Sequence, residues 1–115
     1  MEIDIYSKAK PWGRFERFLK NQPCTVKLLY INPFEEISLQ YHNKRDEFLK
    51  IIRGEATIVA AYKTVEAKEG EAFYIFKKIV HRIKAKGMPV VVLEISFGEY
   101  DEEDVVRLED KYNRI

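Results

Sequence analysis

Two histidines occur in the 115 residues, and both sit in strand-like runs. His42 lies in "SLQYHNKRDEF" (38–48) and His81 in "FKKIVHRIK" (76–84). On an extended strand, residues two apart share a face, so Gln40, His42 and Lys44 are expected to project together, with Leu39 and Tyr41 opposite. Glu47, placed after an expected bend, can swing its carboxylate into the same space. An amide oxygen, an imidazole and a carboxylate are the mixed donors that a divalent cation takes, and a catalytic metal site leaves positions open for water or substrate. Taken singly, a histidine is more often a satisfied structural residue. The spacing alone leaves both readings open.

The elements that must position these residues read as short strands. "RFERFLKN", "CTVKLLYI", "ISLQYH", "EFLKIIRG", "EATIVAAYK", "TVEAKEGEAFYIF", "VHRIKAKGM" and "PVVVLEISFGEY" follow one another. β-branched and aromatic residues dominate them, and turn signals such as Asn32-Pro33, Gly54 and Glu69-Gly70 recur about every ten residues, which predicts an antiparallel sandwich or barrel. The C-terminal "DEEDVVRLEDKYNRI" changes character. Asp101 is an N-cap candidate with acids in the turn after it, and Val105, Leu108 and Tyr112 fall at helical intervals. A short helix over about 101–112 is expected to dock on a barrel over about 12–98.

Length and composition narrow the function classes. One domain, 1–115, is the simplest partition. Lys+Arg 20 against Asp+Glu 19 gives a net charge of +1, so no global field recruits nucleic acid or a membrane surface. Charged residues reach 34%, and such dense, balanced Lys and Glu hint at a thermophilic source. Cys24 is the single cysteine; it cannot form an internal disulfide, and its place in "PCTVKLLYI" suggests a buried, inert thiol. The opening "MEIDIYSKAK" is not a signal peptide, and no apolar stretch is long enough to span a bilayer, so a cytoplasmic protein is expected. P-loop, GxGxxG and helix-turn-helix patterns are absent.

Four stretches together carry a resemblance: "KPWGRFE" (10–16), "ISLQYHNKRDE" (37–47), "EGEAFYIFKKIVHRI" (69–83) and "DEEDVVRLEDKYNRI" (101–115). In this order, and over nearly the whole chain, they resemble the type II mannose-6-phosphate isomerase domain of the cupin superfamily. That domain usually forms the C-terminus of bifunctional enzymes that also carry mannose-1-phosphate guanylyltransferase. The resemblance implies an all-β cupin barrel (a double-stranded β-helix, or jelly roll) with metal ligands at Gln40, His42, Glu47 and His81. It implies a divalent ion, zinc first, with cobalt, manganese or nickel as alternatives. Arg45 matches an arginine implicated in isomerase activity, and Arg107 matches the arginine of the terminal motif. The sequence departs from the family at Lys44, where the second His of H-x-H stands, and at Phe76 and Lys78, which replace the Pro and Gly of the second motif. Nothing here resembles the guanylyltransferase's Gly-rich nucleotide loop.

Isomerisation of mannose 6-phosphate and fructose 6-phosphate moves a proton between C2 and C1 through an enediol, and needs a base, for which Glu47 is the candidate. The phosphate needs cations, for which Lys44, Lys78, Arg82 and Arg107 are candidates; Arg107 can instead pair with Asp104 or Asp110. Trp12 suits a sugar face or a barrel plug, with the plug the safer assignment, and Tyr62 and Tyr74 are possible pocket walls. The expected partners are a phosphorylated hexose and, through exposed strand edges, a second copy in a homodimer. The rival is a non-catalytic cupin that binds a sugar or sugar nucleotide or assists a separate guanylyltransferase. A metal-dependent dioxygenase ranks last, because it wants a second closely spaced histidine.

Overall fold

The computed structural model describes residues 5–114. The two ends of the expected 1–115 domain, residues 1–4 and 115, lie outside the described residues. Eleven strands occur among those described: β1 (Tyr6–Lys10), β2 (Gly13–Arg17), β3 (Cys24–Ile31), β4 (Leu39–Tyr41), β5 (Glu47–Arg53), β6 (Ala56–Ala60), β7 (Lys63–Ala67), β8 (Ala72–Ile75), β9 (His81–Ala85), β10 (Val90–Phe97) and β11 (Val106–Glu109). All pairings are antiparallel. One sheet runs β3-β10-β5-β8, a second runs β11-β4-β9-β6-β7, and β1-β2 form a separate hairpin. No described residue is helical, so no helix there is long and apolar enough to cross a membrane.

Alternation along the strands builds the core between the two sheets. β10 shows the rule most fully. Val90 and Val92 point into the main core with Ile51, Ile58 and Ile83. Leu93, Ile95 and Phe97 point the other way, into a second cluster with Phe48, Phe18 and Leu19. A strand buried on both faces reads as a continuous apolar run, as "VVVLEISF" does. On the inward face the character changes along the strand: Val90 and Val92 give way to Glu94 and Ser96. β5 runs antiparallel beside it and changes in step, with Val92 opposite Ile51 and Ser96 opposite Glu47. One end of the barrel is therefore dry and packed, and the other carries polar side chains that must be used.

Gly54 ends β5 in a conformation closed to other residues. Its φ is +86°, and a Cβ there would lie 2.5 Å from the Pro89 carbonyl oxygen. The turn signal read from this glycine has a steric cause.

The expected C-terminal helix is not formed. Residues 101–105 are irregular around a turn at Glu102 and Glu103, and Val106–Glu109 is a strand that pairs with β4. Asp101 does cap a backbone N–H, but that of Glu103, at 2.9 Å, which closes a turn. The adjacent β-branched Val105 and Val106 favour extension, and β4 would otherwise expose its ladder groups at the sheet edge. A helix of this length is marginal in isolation, so the open edge decides. Of the expected docking face, Leu108 and Tyr112 are exposed.

Three smaller expectations also fail. Cys24 is exposed, because it opens the outward face of β3 with Val26, Leu28 and Tyr30. Trp12 is 72% exposed at the β1–β2 turn and plugs nothing. Tyr62 is fully exposed in the β6–β7 turn and lines no pocket wall.

Candidate metal centre

The polar end of the barrel gathers residues from five strands and one loop. Glu47 opens β5, His81 opens β9, and Gln40 lies in β4 directly opposite His81. His42 follows the end of β4, where the chain turns out of the sheet. Donor atoms of His42, Glu47 and His81 lie within 4.8 Å of one another. All three side chains are buried: His42 is 3% exposed, Glu47 1% and His81 2%.

Hydrogen bonds aim both imidazoles. His42 Nδ1 lies 2.6 Å from the Asp104 carbonyl, and His81 Nδ1 lies 2.9 Å from the Ile79 carbonyl. A carbonyl only accepts, so each Nδ1 carries the proton and each Nε2 presents a lone pair. Both Nε2 atoms face Glu47 Oε1, at 3.4 Å from His42 and 3.7 Å from His81. Three acceptors thus converge in a buried space. The Arg45 guanidinium, with Nη2 3.5 Å from His42 Nε2, supplies positive charge at one side of the group, and two imidazole nitrogens with a carboxylate oxygen are a ligand set suited to a divalent transition metal or zinc. The residues fit a metal ion.

The other Glu47 oxygen is held from two sides. Arg45 Nε donates to Oε2 at 3.1 Å, and Ser96 Oγ donates to the same atom at 3.1 Å. Burial alone would push the Glu47 carboxyl up. Contact with His42, the Arg45 guanidinium and His81 outweighs it and holds the group at about 2. His81 is pushed down, mainly by burial, which keeps its imidazole neutral and able to ligate. Arg45 itself is fixed, with Nη1 on the Asp101 carbonyl at 3.1 Å and its guanidinium 4.6 Å from the centre of the Tyr100 ring.

Gln40 is beside the set with its amide nitrogen, 3.4 Å from His42 Nε2, turned toward it, while its oxygen accepts from Ser38 Oγ at 2.5 Å. A half-turn of the amide presents the oxygen instead, and the Ser38 hydroxyl, both donor and acceptor, pairs with either end.

A cavity of about 250 Å³ opens onto this end, lined among others by Gln40, His42, Arg45, Glu94, Tyr100 and Arg107. Arg107 enters from β11, opposite Gln40 in register. Its Nε is buried and has no hydrogen-bond partner. Neither expected acid pairs with it. Asp110 binds Arg114 at 2.7 Å, and Asp104 accepts from the Asn43 and Lys44 backbone N–H groups at 2.9 and 3.0 Å. A buried guanidinium donor with nothing to donate to is an anion site in waiting.

The remaining cation candidates are elsewhere. Lys44 is exposed and lines a separate outer depression with Phe97 and Asp101. Lys78 is exposed, and Arg82 points out of β9 toward Glu36 and Glu109. Alternation failed at Lys44 because β4 ends at Tyr41. Glu94 and Ser96 were not singled out from the sequence, and Asp104 entered only as a partner for Arg107. The signal for the first two was present: a charged and a polar residue, two apart, inside an otherwise apolar strand. Burial, then the charge of Glu47 and a hydrogen bond between the two carboxyls, push Glu94 up to about 7, against the pull of Lys27 and Arg45.

A family model described as "Mannose-6-phosphate isomerase C-terminal" matches residues 2–110. The chain belongs to this family. It is 32% identical over 107 residues to the xanthan biosynthesis protein XanB of Xanthomonas campestris pv. campestris, covering 91% of this chain and 23% of that protein. It is 31% identical to the mannose-1-phosphate guanylyltransferase ManC of Salmonella typhimurium, covering 100% of this chain and 24% of that protein. The chain thus spans about a quarter of the length of these relatives. Among solved structures, a cupin protein from Bacteroides fragilis superposes with a TM-score of 0.60 at 18% identity, over 70% of this chain and 75% of the other. The barrel is a cupin barrel, as the motifs at 37–47 and 69–83 imply.

Proposed function

We propose that this mannose-6-phosphate isomerase C-terminal domain is itself an isomerase, interconverting mannose 6-phosphate and fructose 6-phosphate. One observation carries the reading: the buried set His42, Glu47 and His81 meets, through His42, a cavity that Arg107, with its unpartnered Nε, also lines. A hydroxy-carbonyl sugar with a phosphate at its far end needs both. The volume suits one sugar ring bearing a phosphate better than a sugar nucleotide.

In this reading Gln40, His42, Glu47 and His81 hold the ion, which when bound would supply Lewis-acid stabilisation of negative charge developing on the sugar oxygens. Arg45 and Ser96 fix the Glu47 carboxylate, so the ligand set is ordered before substrate enters. Arg107 grips the phosphate through charge-assisted bonds and sets which end of the open-chain sugar faces Glu47. Tyr100, held under Arg45, forms a wall of the site and reduces access of water.

The test is turnover of mannose 6-phosphate by the purified chain, stripped of metal and then supplied with zinc, cobalt, manganese or nickel. Metal-dependent turnover, lost in His81→Ala, is the expected result. Folded protein that turns over nothing with any ion would overturn the isomerase and leave a sugar-binding cupin. Lys44, in place of the second His of H-x-H, and Phe76 and Lys78, which replace the Pro and Gly expected before His81, are the features that favour that second reading.

A further inference from the structure

Isomerisation needs a group that takes a proton from C2 and returns it to C1, and Glu47 has no free oxygen for this work. Oε1 faces both imidazoles, and Oε2 accepts from Arg45 and Ser96. Two other acids line the cavity. Glu102 is at the rim, exposed and ion-paired with Lys27 at 3.3 Å. Glu94 projects from the inward face of β10, the central strand beside β5, two residues before the Ser96 that secures Glu47. It lines the cavity together with His42 and Arg107 and meets the Glu47 carboxyl directly.

We propose that Glu94 is the catalytic residue that carries the proton between C2 and C1. This rests on the isomerase reading above. With the phosphate on Arg107 and the C1 and C2 oxygens toward the ligand set, the carbon edge of the sugar lies against β10. The Glu94 carboxylate takes the C2 proton. The electrons of that C–H bond become the C1=C2 double bond, and the C1 carbonyl electrons move onto its oxygen. The hydroxyl proton passes from the C2 oxygen to the C1 oxygen, C2 becomes the carbonyl, and C1 recovers the proton from Glu94. No net proton is gained or lost, and no oxidant is needed. The anchoring of β10 between β3 and β5 holds the carboxyl at a fixed height over the cavity floor.

Glu94→Gln keeps the shape of the side chain and removes the base. The chain and the variant are compared for kcat, KM, bound metal and loss of deuterium from mannose 6-phosphate labelled at C2. The expected result is a fall in kcat of about 10²–10⁴-fold, no loss of deuterium to solvent, and unchanged KM and metal content; Glu94→Asp, which keeps a carboxylate on a shorter arm, recovers part of the rate. Turnover within about tenfold of the unaltered chain would overturn the assignment. Loss of metal in step with activity would overturn it too, since that marks a group that only orders Glu47. An unaltered chain without turnover on any ion overturns the isomerase reading and this assignment together, whereas an active chain with an active Glu94→Gln variant overturns the assignment alone.

Discussion

Replacing Arg107 by Met should separate stability from function in opposite directions. Arg107 Nε is buried and unpartnered, at the edge of a cavity whose other positive groups are committed: Arg45 to Glu47 and Asp101, Lys27 to Tyr100 and Glu102, and Arg114 to Asp110. A buried donor without a partner costs about 1–3 kcal/mol relative to its hydrated state. Met keeps most of the length of the side chain and carries no donor, so Arg107→Met should leave the fold unharmed or stabilise it by about 1 kcal/mol. In a domain of this size that is a rise in Tm of a few degrees, roughly 4 °C. The same change removes the charge-assisted bonds to a phosphate, worth about 1.5–3 kcal/mol, or about ten- to a hundred-fold in affinity. Thermal unfolding with and without inorganic phosphate, followed by KM for mannose 6-phosphate, reads both effects. A variant that loses more than about 1 kcal/mol of stability while keeping its response to phosphate would refute the reasoning, because Arg107 would then be a structural group with a partner.

Two further substitutions probe the supports of the site. Lys78 has a φ of +67°, a left-handed conformation that costs a side-chain-bearing residue about 1 kcal/mol, so Lys78→Gly should gain roughly 0.5–1 kcal/mol in urea denaturation; a loss would mean that the lysine side chain contributes something the backbone angle does not reveal. Asp104→Ala frees the Asn43 and Lys44 N–H groups and loosens the segment whose carbonyl aims His42, so it should cost about 1 kcal/mol and weaken metal binding in a competition titration with a chelator. Unchanged metal affinity would show that His42 is aimed by its own strand end.

Much of the barrel was legible because its strands are buried on defined faces. β3, β5, β6, β9 and β10 correspond to runs of alternating or continuous apolar residues, and Gly54 and Gly70 mark turns at positive φ. What escaped depends on contacts between distant segments. β11 carries helix-favouring acids and helical spacing, and only the free edge of β4, more than sixty residues earlier, draws it into a strand. Residue spacing singled out His42, His81 and Glu47, which the fold does bring together, since each lies at a strand end on the same side of the barrel. It could not identify Glu94, because nothing local says that the inward face of β10 turns from the core to a cavity midway along its length. Lys44 shows the converse. Period-two alternation holds only while the chain stays extended, and β4 ends at Tyr41, so the residue two beyond His42 leaves the site.

The turn before His81 explains why the loss of the expected Pro and Gly need not dismantle the metal centre. Lys78 keeps the positive φ that a glycine would adopt, and its N–H donates to the His42 carbonyl at 2.6 Å. One residue further on, the Ile79 carbonyl accepts from His81 Nδ1, and the Ile79 N–H returns to the Phe76 carbonyl at 3.1 Å. The turn therefore ties the backbone of one imidazole to the side chain of the other through main-chain groups alone. Side-chain identity at 76 and 78 changes the strain of the turn and the outer surface, where both residues are exposed, and leaves untouched the hydrogen bonds that set the two Nε2 directions. In the proposed metal site, positions 40, 42, 47 and 81 are different in kind: there the side chain itself would be the donor. A departure at any of these four would remove a ligand, whereas Phe76 and Lys78 alter only how tightly the set is braced.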